Sequence, residues 1–369
     1  MAKGRLAFLD ALRGLAAVYV LLYHVMAMPR PALTPMAPLA AWVQAGGTGV
    51  ALFFVISAFS LCYTMPGHHA SGRPLASFYV HRLLRIAPLF YCWLAFSLFR
   101  DGRGDHAGHP WTEVLANLSF TFNLFNGWEE GIVWASWAIG VEMLFYAIFP
   151  LLFLWVRSLQ RALLLAGVSL LAAALAAAGL LGESGVALTD AFGPLRHLPV
   201  FALGLCAYHA YRALETSPTS MAHTRIRIAA VTGVVVWLAS IVLASMGLLS
   251  SLTFWIACGA AYALLLVGVS RQAPRWLVNR ATAYLGKISY SLYLGHPVVI
   301  AVLGPVFRRI QAHVTEPTLA YVACALLALA VTLPLAALTY RFVEAPGIAL
   351  GKRLFPRKAP AAAFVASAS

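Results

Sequence analysis

Long apolar stretches dominate the chain and alternate with short polar ones. A membrane-spanning α-helix needs roughly 20 apolar residues, and apolar stretches that end at a charge, a proline or a glycine recur along the whole sequence. The pattern predicts an all-α, polytopic fold of about ten transmembrane helices, at Leu6–Met28, Gly47–Pro66, Ile86–Phe99, Val133–Val156, Ala162–Leu181, Leu195–Tyr211, Ile228–Gly247, Leu252–Val269, Ala281–Val306 and Leu319–Phe342.

One segment leaves the number of crossings open. Residues 113–126 are amphipathic, which is typical of a helix that lies on the membrane surface or re-enters it, so nine or eleven crossings remain alternatives. No internal repeat and no extramembrane domain interrupts the apolar pattern. We therefore expect one integral-membrane domain over residues 1–350, followed by a basic and then alanine-rich tail over residues 351–369.

Composition strengthens the membrane assignment. Of the 369 residues 62% are hydrophobic and only 10% are charged, and the mean hydropathy is +0.82. Soluble domains carry about a quarter charged residues, and they cannot hide this much apolar surface. A net charge of +14 could suggest a nucleic-acid partner, but the basic residues are scattered between apolar runs. We expect contact with lipid and none with nucleic acid.

The basic residues predict the orientation in the membrane. Of the 26 lysines and arginines, 18 fall on the side that holds both termini, and two lie inside spans, Arg13 and Lys287. Because positive charges concentrate on the cytoplasmic side, both termini are predicted to be cytoplasmic, in a bacterial inner membrane. The six basic residues on the outer side are Arg30, Arg100, Arg103, Arg196, Arg308 and Arg309.

Several chemistries lack their usual motifs. The five cysteines lie in or beside apolar segments without metal-ligand spacing, so no metal site is predicted. The sequence also has no GxSxG nucleophile motif, phosphate-binding Walker loop or HExxH metal motif. Candidate chemistry therefore rests on ionisable residues inside the predicted spans, where a charge is costly and is by default a functional hypothesis.

The first span carries three such residues, Asp10, Arg13 and His24. Arg13 and His24 are eleven positions apart, which puts them on one helix face about 16 Å apart along the axis. Asp10 is one turn from Arg13 and can pair with it. This arrangement predicts a polar stripe along the helix. In the alternative, Asp10 and Arg13 only neutralise each other and His24 is an interfacial residue.

A pair of arginines precedes the predicted third span. Arg82 and Arg85 are one helical turn apart, so two guanidinium groups face the same way, and guanidinium binds phosphate oxygens in a bidentate manner. The pair predicts a phosphate-binding site at the cytoplasmic end of the helices. An ordinary positive anchor of the loop is the alternative.

Two further spans combine polar and aromatic residues. The fourth contains Glu142, with Tyr146 one turn later and Trp137 upstream, and a buried carboxylate there needs a cation such as Arg13. The ninth contains three residues that can share one face, or that can simply hydrogen-bond between helices. They are Ser289, Tyr293 and His296.

Taken in order, six segments resemble the acyltransferase-3 family of membrane O-acyltransferases. They are LDALRGLAAVYVLLYH, GGTGVALFFVISAFSL, HRLLRIAP, SWAIGVEMLFY, SYSLYLGHP and YRFVEAP, and together they cover nearly the whole chain. The chain departs from the family pattern at two positions. Ala58 follows Ser57 where glycine is usual, and Met143 stands at an often acidic position, so Glu142 is the carboxylate carried over.

The resemblance implies transfer of an acetyl or other short acyl group from acetyl-coenzyme A to a hydroxyl of a cell-surface glycan or a related small molecule. An alcohol needs a base within hydrogen-bond reach, and the pKa of histidine suits that task. We therefore expect His24 to act as the base, or as a nucleophile that forms an acyl intermediate. The expected catalytic residues are His24, Glu142 and Arg13.

The remaining candidates are expected to bind the donor or line its path. Arg82, Arg85 and Arg13 would hold the phosphates of the donor, and its pantetheine arm would thread along the Asp10–Arg13 stripe to His24. A proton-coupled transporter or flippase is the alternative function, because it also buries ionisable groups. The expected channel residues are Asp10, Ser57, Trp137, Tyr146, Ser289, Tyr293 and His296.

Overall fold

The computed structural model of the chain describes residues 6–102, 108–180, 187–271 and 273–356. Within these ranges the backbone forms helices and turns without a β-strand, which confirms the all-α prediction. The helices are α1 (Ala7–Ala27), α2 (Leu39–Gln44), α3 (Gly49–His69), α4 (Pro74–Asp101), α5 (Trp111–Leu118), α6 (Trp137–Trp155), α7 (Leu159–Ala177), α8 (Pro194–Glu215), α9 (Thr219–Ser245), α10 (Ser251–Val269), α11 (Arg280–His313), α12 (Pro317–Thr339) and α13 (Ala345–Leu354).

Nine helical stretches of the described chain are long and apolar enough to cross a membrane. In one of them, Leu39–His69, a 3-10 turn at Ala45–Thr48 joins α2 to α3, and in another, Pro317–Leu354, a π-helical segment at Tyr340–Glu344 joins α12 to α13. The predicted span Leu195–Tyr211 forms α8, which is about 33 Å long but is not among the nine. The chain is thus a multi-pass membrane protein. Which side faces the cytoplasm stays a prediction.

The third predicted span is wrong at its start. Helix α4 begins at Pro74, twelve residues before the predicted Ile86, and proline suits a first helical position because its missing N–H is not needed there. Arg82 and Arg85 therefore lie inside the helix, roughly 12 and 16 Å from its beginning, and not in a preceding loop. The apolar pattern placed the boundary too late because it began the span only after the charges of Arg82 and Arg85.

The structure also resolves the ambiguous segment at residues 113–126. Only α5 and a 3-10 turn at Phe122–Leu124 form there. The eight residues of α5 extend about 12 Å, too short for a hydrocarbon core of about 30 Å. The amide of Asn123 holds the following turn by donating to the carbonyls of Glu129, Trp137 and Phe192 at 2.8, 3.1 and 3.1 Å. The segment does not cross as a helix.

Burial separates central helices from peripheral ones. Helix α3 is almost entirely buried, whereas most of α7 and α9 is exposed. Their exposed residues are large and apolar, as Leu163, Leu171 and Val231 illustrate. Lipid accepts such faces because every backbone polar group is already satisfied within its helix. Functional side chains are therefore expected around α3 and its neighbours.

Helices α1 and α11 cross at a pair of glycines. A Cβ added to Gly286 would lie 1.9 Å from the carbonyl oxygen of Asp10, and one added to Gly14 would lie 2.7 Å from the amide nitrogen of Gly286. Small residues allow two helix backbones to approach closely in a membrane, where packing drives association. This crossing fixes the register of α1 against α11.

We expect Gly286→Ala to destabilise the protein by about 1–3 kcal/mol, because the added methyl group meets backbone atoms that cannot rotate away. Gly304→Ala is the matched control on the same helix, since its Cβ would have only Arg308 Nη1 within 4 Å, at 3.7 Å. Thermal unfolding in lipid nanodiscs measures both variants. An unchanged midpoint for Gly286→Ala would contradict the close crossing.

Candidate active site

A cavity of about 620 Å³, including the space at its open side, lies between α1, α3, α4, α6 and α11. One part of the wall is apolar and includes Val50, Phe53, Phe54 and Ile139. Seven of the residues that the sequence singled out line the same space: Arg13, Arg82, Arg85, Glu142, Tyr146, Ser289 and Tyr293.

The charged side chains of the cavity make hydrogen bonds to one face of α3. Ser57, Ser60 and Thr64 follow each other at spacings of three and four, so their hydroxyl groups lie on one side of the helix. We call these three residues the hydroxyl face. Ser57 donates to Glu142 Oε1 at 2.5 Å, and the Tyr146 hydroxyl donates to the same oxygen. Glu142 is thus fixed by two hydroxyl groups.

The other two members of the hydroxyl face bind arginines. Arg13 Nη2 donates to Ser60 Oγ at 2.9 Å, and Arg82 Nη2 donates to Thr64 Oγ1 at 3.2 Å. The Arg82 guanidinium also lies over the ring of Tyr146, 5.5 Å from its centroid, in a cation–π contact. The guanidinium groups of Arg13 and Arg82 are therefore each positioned by a neutral hydroxyl group of α3.

Arg85 has a different partner. Its Nη1 lies 3.7 Å from Oε1 of Glu344, whose side chain is fully buried, and Ser291 Oγ donates to Oε2 of the same carboxylate at 2.9 Å. Glu344 ends the π-helical segment Tyr340–Glu344. Such wider turns are rare and often occur at functional sites. Here the segment places the carboxylate of Glu344 next to the guanidinium group of Arg85.

The predicted base contacts a second histidine. Nε2 of His296 lies 3.1 Å from Nδ1 of His24, which is also 2.9 Å from the carbonyl oxygen of Val20. Nδ1 of His296 lies 2.5 Å from the carbonyl oxygen of Tyr293. A carbonyl oxygen can only accept, so both Nδ1 atoms carry a hydrogen.

This assignment fixes the tautomer of His24. With both rings neutral, His296 Nε2 has a lone pair and accepts from the His24 Nδ1–H, which it shares with Val20. His24 Nε2 then has a lone pair and can take a proton. The Val20 carbonyl and the His296 ring together do for His24 what a carboxylate does for the histidine of a catalytic triad, namely orient it and select its tautomer.

The two histidines stand next to the cavity rather than in its wall. Tyr293 joins the two parts of the site, because it lines the cavity and its ring centroid is 5.7 Å from that of His296 and 5.7 Å from that of Phe53. The route of the donor along α1 stays a prediction. In this structure Ala17 and Val20, which lie between Arg13 and His24 on that face, are fully buried.

Three other predicted residues are near the cavity without lining it. Asp10 is buried where α1 crosses α11, Ser57 acts through Glu142, and Trp137 belongs to a group of aromatic rings beside the cavity. Sequence reasoning missed Ser60 and Thr64 as partners of the arginines. Their spacing from Ser57 was a usable signal.

Glu344 was missed as well, although it is the acid of the YRFVEAP motif. Tyr290 is another addition, since it lines the cavity while its hydroxyl donates to the carbonyl oxygen of Ile86 at 2.8 Å. Apolar periodicity alone does not distinguish these two positions from positions that only pack between helices.

Comparison with known proteins supports the sequence resemblance. The model of a family described as "Acyltransferase domain" matches residues 6–337, nearly the whole chain. Comparisons with curated proteins and with solved structures found no match. The matched range contains every cavity-lining residue and both histidines. The chain therefore belongs to the acyltransferase-3 family and is a membrane acyltransferase.

Proposed function

We propose that this acyltransferase moves an acetyl or other short acyl group from acetyl-coenzyme A to a hydroxyl of a cell-surface glycan or a related small molecule. The proposed location is the inner membrane of a bacterium, with both termini in the cytoplasm. The observation that carries the proposal is the convergence of three arginines, Arg13, Arg82 and Arg85, on one cavity.

Three guanidinium groups around one space favour an anionic ligand. Coenzyme A carries several phosphate groups, and arginine binds their oxygens with two parallel hydrogen bonds. Thr64 holds Arg82, while Glu344 lies behind Arg85, so the two groups of the RxxR pair are presented to the cavity in fixed positions. These contacts support donor binding inside the helix bundle.

His24 Nε2 is the proposed base. It takes the proton of the acceptor hydroxyl as the oxygen attacks the thioester carbonyl, a C–O bond forms, and the C–S bond then breaks. The departing thiolate takes a proton back from His24, so the products are an ester and free coenzyme A. General-base catalysis of this kind contributes about 10²–10⁴ in rate.

Arg13 is proposed to bind the donor in the cavity and not to act at the reacting carbonyl, because it lies three helical turns from His24 on α1. Ser60 holds the Arg13 side chain against α3, and Glu142 lines the same cavity as the balancing negative charge. Tyr293 marks the place where the acyl group would pass from the cavity to His24.

The first test follows the acyl group. With labelled acetyl-coenzyme A and an acceptor extract, we expect free coenzyme A and label on a hydroxyl compound. His24→Ala should lower transfer at least about 100-fold, because the base is lost, and should leave donor affinity within about twofold.

Each outcome of this test is informative. Retained transfer in His24→Ala would remove His24 as base and nucleophile. Label that stays on the wild-type protein after acid quenching would indicate an acyl-enzyme intermediate in place of direct transfer. Uptake of substrate into proteoliposomes without thioester cleavage would favour a transporter.

The second test separates phosphate binding from simple positive charge. Arg82→Lys combined with Arg85→Lys keeps both charges and removes both planar forks, so we expect donor affinity to fall about tenfold, the cost of roughly 1.4 kcal/mol. Isothermal titration with acetyl-coenzyme A measures it. Arg157→Lys, an exposed position, is the control. Unchanged affinity in the double variant would mean that the pair only anchors the helix.

The third test concerns the tautomer of His24. His296→Leu removes the lone pair that accepts from His24 Nδ1–H, and we expect kcat to fall about 10- to 100-fold with little change in the KM for the donor. His296→Gln offers a carbonyl oxygen at the same place and should restore part of the rate. Equal activity of the two variants would contradict the positioning role.

A further inference from the structure

A group of aromatic rings beside the cavity has no role in the scheme above. The ring of His197 lies 5.0 Å from that of Trp137, 5.1 Å from that of Trp255 and 5.6 Å from that of Phe54, measured between centroids. The ring of Phe192 lies 4.9 Å from that of Trp137. We call these five residues the aromatic cluster. It gathers side chains from α3, α6, α8, α10 and the segment before α8.

His197 presents a buried hydrogen-bond acceptor to this cluster. Its Nε2 lies 3.1 Å from the carbonyl oxygen of Ala191, so Nε2 carries the hydrogen and Nδ1 of the neutral ring has a lone pair. The residue is only 2% exposed, and Nδ1 has no partner among the described residues. An unpaired buried acceptor costs free energy, so it calls for a partner.

Trp255 presents the complementary group. Its Nε1–H is buried and likewise has no acceptor in the described part of the chain. The two rings meet edge to face, with an interplanar angle of 73°. One unpaired acceptor and one unpaired donor are therefore on adjacent rings, while Phe54 and Phe192 contribute only apolar ring surface.

A hydroxyl group satisfies both atoms at once, because it donates one hydrogen bond and accepts another. A ring that carries hydroxyl groups on its edge and C–H groups on its faces also matches the partly exposed ring of Trp137. We propose that the aromatic cluster is a binding subsite for a pyranose ring, with one ring hydroxyl donating to His197 Nδ1 and accepting from Trp255 Nε1–H.

The position of the cluster connects it to acyl transfer. Phe54 belongs to the cluster and also lines the cavity, and Ala138, the neighbour of Trp137, lines it too. Trp137 and Trp255 are both partly exposed, so a ligand can reach the rings from outside. The role of the subsite rests on the proposed function. In that function the subsite holds the sugar of the acceptor while one of its hydroxyl groups is acylated.

The test uses the full chain in lipid nanodiscs, because maltoside detergents carry pyranose rings that would compete. With ¹⁵N-labelled tryptophan, each of the ten tryptophans gives one indole N–H signal. The Trp255 signal is identified by its loss in Trp255→Phe, and that of Trp237 by its loss in Trp237→Phe. The probe is methyl β-D-glucopyranoside, up to about 50 mM, which covers a millimolar dissociation constant.

We expect a saturable shift of the Trp255 signal and no shift of the Trp237 signal, because Trp237 Nε1 already donates to the Tyr262 hydroxyl at 3.1 Å. Saturation-transfer NMR on the probe should show about tenfold weaker binding in Trp255→Phe, which keeps the ring and loses the hydrogen bond. His197→Phe, an independent variant, should weaken binding similarly. Trp237→Phe should bind as the wild type.

Three results would overturn the proposal: no saturable effect in the wild type, equal shifts of all indole signals, or undiminished binding in both Trp255→Phe and His197→Phe. The first result would indicate that a buried water molecule, and not a sugar hydroxyl, is the partner of His197 Nδ1 and Trp255 Nε1. None of these readouts requires acyl transfer. Loss of acetyl-coenzyme A cleavage would therefore contradict the proposed function alone, and loss of probe binding would contradict the subsite alone.

Discussion

The active-site architecture depends on keeping charged side chains inside an apolar bundle. A charge in the hydrocarbon region is costly unless polar groups surround it. Helix α3 supplies those groups through the hydroxyl face of Ser57, Ser60 and Thr64, each of which meets one charged residue. Hydroxyl groups do this without adding charge of their own. A neutral, almost fully buried helix can therefore organise a strongly polar cavity.

The close crossing of α1 and α11 provides the second constraint. The contact between Gly14 and Gly286 sets how the two helices are rotated and shifted relative to each other. As a result His24 on α1 meets His296 on α11, three turns away from Arg13 on the same helix. Backbone packing at one depth of the membrane thus determines side-chain chemistry at another.

The sequence predicts the helices well and the partners less well. Apolar length is a local property, so most spans lie close to their predicted places, but the predicted third span begins after Arg82 and Arg85, whereas α4 includes both. Seven predicted residues do share one cavity. Pairings such as Ser60 with Arg13 depend on how helices dock, which periodicity does not encode. The sequence therefore indicates which residues are polar inside the membrane, but not what each one contacts.

The π-helical segment at Tyr340–Glu344 makes this chain sensitive to its exact residue count. Each residue turns a helix by about 100°, so the loss of a single position between α12 and Glu344 would swing the carboxylate away from Arg85 and Ser291 towards a different neighbour. Substitutions there alter one side chain, whereas a one-residue deletion would rotate everything that follows. Length conservation in this segment would accordingly be a stricter requirement than the identity of most of its residues.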